Sequence, residues 1–104
     1  MSHRSEQVAS ELYKALSRVL NEHQEYEKFG LITVTDVIVK GKLDHAIISI
    51  SSLEYPHDLC EKLQQKSQQL RHQIKGLVQL RKIPQLSFAV DETYQILDKI
   101  DEAS

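Results

Sequence analysis

Five histidines and a single cysteine are the obvious candidates for chemistry in this chain of 104 residues. His57 and Cys60 stand three apart, a spacing that puts both on one face of a helix. Two donors fall short of the three or four that hold zinc. His72 follows Cys60 by twelve residues, about 18 Å along a straight helix and too far to complete the set. His45 has Asp44 beside it, but strand neighbours point to opposite faces, so His45 reads as a surface or edge histidine. The three glycines, at 30, 41 and 76, allow no glycine-rich phosphate loop to be written. Cys60 reads as a small hydrophobe. The expectation is no metal, no cofactor and no enzyme.

Charge is the better lead. The formal net charge is -2, yet from Lys62 to Val90 the chain carries Lys62, Lys66, Arg71, Lys75, Arg81 and Lys82 and no acid. The segments on either side are acidic, so the average conceals a basic block. Scattered lysines on a helix ordinarily mean a solvated face. Here acids are absent over 29 residues, and the positives run past the helical pattern into Arg81 and Lys82, where "QLRKIPQLSFAVDE" turns to a strand. Both features point to a polyanion, with nucleic acid the first choice.

The elements that would carry this block can be read from periodicity. Val8, Leu12, Leu16, Val19 and Leu20 form one helical stripe, with Ser2 or Ser5 placed to cap it and Gly30 to stop it; the helix should end between Glu25 and Phe29. Leu31 to Val39 is rich in β-branched residues and reads as a strand. After the turn "KGK", the stretch "LDHAIISISSL" alternates, with Ala46, Ile48 and Ile50 on one face, and should pair with the first strand as an antiparallel hairpin. Pro56 fits a helix start. Leu59, Leu63, Ser67, Leu70, Ile74 and Leu77 then share a helical face, interrupted at Ser67, where a bend is expected. Pro84 ends helical geometry, and Leu86, Phe88 and Val90 alternate as a third strand. A long helical crossover lays that strand parallel to the second. Ile96, Leu97 and Ile100 suggest a short, frayed helix within 91–104. The architecture is α+β, a single domain over 1–104, with helices on one face of a three-stranded mixed sheet. No apolar run approaches the roughly 18 residues of a membrane span, and one cysteine without a partner suits a reducing cytoplasm.

In this order the pieces resemble bacterial ribosome-binding factor A over nearly the whole chain. Arg4 and Val8 precede the apolar stripe, "LITVTDV" is similar to the family's first strand, and "LDHAIISIS" resembles "LRHAKVYVS". "LRKIPQLSFAVDE" resembles "LRRVPELRFVLDD" in register. The resemblance implies a type II KH-like domain, α-β-β-α-(kink)-α-β. It implies a monomeric cytoplasmic factor that binds the 30S subunit and its 16S rRNA in late maturation and 5′-end processing, with special need in the cold. Small-subunit proteins could share that contact. The family's Ala-x-Gly kink falls on Lys66, Ser67 and Gln68 here, Ile47 stands where Lys is common, and Gln79 where Arg is common. Carried over residue by residue, the RNA-facing positions are Arg81 and Lys82, at the family's basic pair, and Arg71, after the kink. Lys66 and Lys75 join them from the charge map alone. The rival expectation is a protein-interaction module, a homodimer or partner binder, that uses a sheet edge or the apolar part of the second helix and touches no RNA.

Overall fold

The apolar stripe of the first twenty residues folds as α1, His3–Glu22, in a computed structural model that describes residues 3–92. Its stripe residues Val8, Leu12, Leu16, Val19 and Leu20 are all buried. Ser5 lies inside the first turn instead of capping it. The α-helix ends sooner than expected and is followed by a 3-10 segment, Gln24–Phe29, that buries Tyr26 and Phe29. The reason is geometric. Nine further residues of α-helix would turn Phe29 about 180° away from Leu20, whereas a tighter segment re-aims both rings at the core. Gly30, at φ 71, then reverses the chain.

Strand β1, Ile32–Lys40, pairs antiparallel with β2, His45–Ser52, and β3, Gln85–Val90, lies parallel to β2, giving the order β1-β2-β3. The register slips between Val34 and Asp36. This bulge switches the inward positions from Ile32 and Val34 to Val37 and Val39. Ala46, Ile48 and Ile50 are buried as their alternation requires. His45 sits on the central strand, not an edge, and its Nε2 lies 2.8 Å from Ser87 Oγ.

Between β2 and β3 run α2, Pro56–Gln65, and α3, Ser67–Ile74, with Pro56 at the expected first turn. They are separated at Lys66, whose φ of -102° and ψ of 18° leave the helical region. Because that φ is negative, the break requires no glycine. Leu59, Leu63, Leu70 and Ile74 are fully buried. Leu77 is not part of that face. α3 stops at Ile74, a turn closes through the Leu77 N–H to the Ile74 carbonyl at 2.8 Å, and Leu77 is left 42% exposed while Val78 fills the core.

Two side-chain amides guard the sheet. Asn21 accepts from the Ile32 N–H at 3.1 Å and donates to the Ile32 carbonyl at 2.8 Å. On the other margin Gln64 accepts from the Phe88 N–H at 2.9 Å and donates to the Leu86 carbonyl at 3.2 Å. The whole is α+β, a three-stranded sheet with its helices on one face, in the element order that the resemblance implied. No described helix is long and apolar enough to cross a membrane. The helical pattern at Ile96, Leu97 and Ile100 lies outside the described residues.

Candidate nucleic-acid interface

Arg81 and Lys82 owe their exposure to anchors on both sides. Before them Val78 is buried, Leu80 packs against the core, and the Gln79 N–H donates to Glu11 Oε1 at 3.2 Å. After them Ile83 and Pro84 are buried. The two cations therefore ride on a pinned loop, a cheaper arrangement for binding than ordering a free one.

That loop forms one wall of a cleft of about 590 Å³, whose other walls are the start of α1 and the β1-β2 turn. Arg4, Lys42, Arg81 and Lys82 line it, all exposed. Val8, Leu43 and Leu80 supply an apolar floor. The one carboxylate present, Glu11, is engaged by the Gln79 amide. None of the four cations forms an ion pair with a described carboxylate. Four unneutralised positive groups about one concavity suit a phosphate backbone, the arginines as bidentate forks and the lysines as point charges.

The other expected contacts go elsewhere. Arg71 lies in a second, polar groove of about 370 Å³ between the helix break and β3, with Gln64, Gln68, Gln85 and Ser87 around it. Its Nη2 donates to the Ile83 carbonyl at 2.8 Å, so the side chain braces the loop that presents Arg81 and Lys82. Its Nε is buried without a partner among the described residues. Lys66 turns to the far side, where its Nζ lies 2.6 Å from Glu25 Oε2. Lys62 joins it there, donating to the Glu25 carbonyl at 2.9 Å and lying 5.2 Å from the Tyr26 ring centroid. The hydrogen bond from Lys66 holds the Glu25 carboxyl below its ordinary value, against the opposing effect of burial. Burial, helped by the Glu25 charge, pushes the Tyr26 hydroxyl up to about 12. Lys75 is exposed at the end of α3 and lines neither cleft. Lys66, Ser67 and Gln68 mark the helix break, with Ser67 and Gln68 facing the polar groove.

Sequence reasoning thus missed Arg4 and Lys42 as members of the cleft. Both lie in acid-rich sequence outside the basic block, and only the fold brings them to Arg81. The signal available was Lys40 and Lys42 flanking Gly41, a basic turn on a chain that otherwise mixes signs there.

Against known proteins, the family model described as "Ribosome-binding factor A" matches residues 4–104. The chain belongs to that family. Curated members include the ribosome-binding factor A of Macrococcus caseolyticus, 31% identical over 97% of this chain and 91% of the relative. That of Enterococcus faecalis is 35% identical over 97% and 90%. Among solved structures, the crystal structure of the Thermus thermophilus factor is similar with a TM-score of 0.72 at 17% identity, covering 83% of this chain and 94% of that one. A homology model of the same factor, fitted into a cryo-electron-microscopy map of a 30S complex, gives 0.70 at 17% identity, covering 89% and 97%. These likenesses establish the shared fold of the family.

The features named for a protein-interaction module are occupied in part. The apolar side chains of α2, Leu59 and Leu63, are wholly buried, and the amides of Asn21 and Gln64 sit on the two outer strands. Among the described residues no three His, Cys, Asp or Glu side chains are grouped to hold a metal.

Proposed function

We propose that this chain is a ribosome assembly factor. It binds the 30S subunit and its 16S rRNA during late maturation and 5′-end processing, with its greatest need in the cold. It acts as a monomeric, single-domain, non-enzymatic factor of the cytoplasm. The observation that carries the reading is the convergence of Arg4, Lys42, Arg81 and Lys82 on one cleft in a member of this family. Arg81 and Lys82 are the central contacts, and Arg71 acts mainly by bracing their loop. Recognition is of backbone and shape, as expected where cations meet phosphates.

The test is co-sedimentation with purified small subunits, large subunits and assembled ribosomes over a range of salt. Binding should be selective for small subunits. If about four phosphates are neutralised, log affinity falls against log salt with a slope of roughly -3 to -4. The pair Arg81→Ala and Lys82→Ala should reduce both affinity and slope. Binding indifferent to salt would overturn the electrostatic account.

A further inference from the structure

The two ends of the sheet are chemically opposed. The cation cleft lies at the end where β2 and β3 begin. At the other end, roughly 25 Å away for an eight-residue strand, Leu31, Leu53 and Tyr55 are 62%, 75% and 59% exposed. Backbone hydrogen bonds hold this group together: the Leu53 N–H donates to the Leu31 carbonyl at 3.3 Å, and the Glu54 N–H to the Phe29 carbonyl at 3.1 Å. Tyr55 has φ 50° and ψ 54°. A left-handed backbone at a bulky residue is an outlier of the kind retained at functional surfaces. Glu27, Glu54, Asp58 and Glu92 stand exposed on the same end, with Lys28 as the opposing cation. Glu92 is placed there by its 4.0 Å approach to His57.

An apolar patch with an acidic rim repels phosphate and attracts a cationic polypeptide. Proteins that themselves bind RNA neutralise it with lysine and arginine, and so offer such segments. We propose that Leu31, Leu53 and Tyr55 form a docking site for a lysine- and arginine-rich protein segment bearing an apolar anchor. The site is remote enough from the cleft for RNA and protein to be held together. In the cell this places the partner on the assembling subunit, which rests on the function proposed above.

Two experiments separate the ideas. In the first, a lysine-rich peptide with one central phenylalanine is titrated into the isolated chain and followed by amide NMR shifts. Shifts should centre on Leu31, Leu53 and Tyr55 and spare Arg81. They should vanish for a phenylalanine-to-serine peptide and for the Leu53→Ser, Tyr55→Asn variant, whose melting temperature confirms its fold. In the second, Leu53→p-benzoylphenylalanine is irradiated on small subunits. Cross-links should fall on basic segments of subunit proteins and weaken several-fold with Glu54→Lys and Asp58→Lys. Cross-links to RNA, to a second copy or to the chain's own C-terminal residues would overturn the proposal, as would an unshifted peptide titration. If the peptide binds but the chain does not sediment with subunits, the docking site stands and the ribosomal reading fails.

Discussion

Lys66 and Glu25, 41 residues apart in sequence, meet at 2.6 Å and tie the break between α2 and α3 to the 3-10 segment after α1. A family in which this break is expected at a glycine is thus served here by a residue with ordinary backbone angles and a charged tether. The lysine works within the fold, which separates it from the four cations of the cleft.

Lys66→Met should therefore lower stability by on the order of 1 kcal/mol at neutral pH, with Glu25→Gln costing no more when added to it. Glu25 has its carboxyl lowered in the folded state, so its contribution is present above the ordinary glutamate range and is lost as pH falls through the lowered value. The difference between wild type and Lys66→Met should accordingly shrink in acid. Urea unfolding from pH 7 down to pH 3 would measure it, and a constant difference would rule out the linkage.

Lys42 stands 39 residues before Arg81 in sequence, yet both line one cleft. Lys42→Gln is expected to shorten the salt slope of subunit binding by about 0.7 to 0.9. Arg4→Gln should do the same, while Lys66→Met leaves the slope in place. Filter binding across a salt series distinguishes them, and a full-unit change for Lys66→Met would return that residue to the interface.

Arg71→Ala should destabilise the fold by about 1–3 kcal/mol, because the partner of a half-buried carbonyl is removed. Arg81→Ala, on an exposed side chain, should stay within about 0.5 kcal/mol of wild type. Paired denaturation curves test the contrast, and equal costs would mean that Arg81 also holds the loop.

Burial first, then the nearby Glu61 charge, pushes the Cys60 thiol above its ordinary range. The thiolate is the reacting species, so iodoacetamide should label native Cys60 more slowly at pH 8 than the same cysteine in urea. Glu61→Gln should quicken the native reaction. Mass spectrometry of timed samples gives both rates.

What the sequence revealed depended on how local the cause was. Alternation through Ala46, Ile48 and Ile50 and the steps of three and four residues from Leu59 to Ile74 are imposed by the backbone itself, and they marked strand and helices correctly. Leu77 was misread because periodicity continues on paper after hydrogen bonding has stopped; the turn from Leu77 to Ile74 ended the helix and passed the buried position to Val78. The fate of the positives was hidden for a different reason. Lys62 and Lys66 are taken up by a carboxylate and aromatic rings from a distant segment, while Arg4 and Lys42 reach the cleft by tertiary folding. A one-dimensional charge map has no access to such partners.

The amides of Asn21 and Gln64 have a consequence for how the protein lives among its own copies. Each offers one donor and one acceptor to an outer strand, imitating two atoms of a neighbouring chain at the place where another molecule could begin to add. A small open sheet thereby acquires some of the self-limitation that a barrel gets by closing on itself. A strand adding at Ile32, or along Leu86 to Phe88, would first have to displace a side chain already bonded in place.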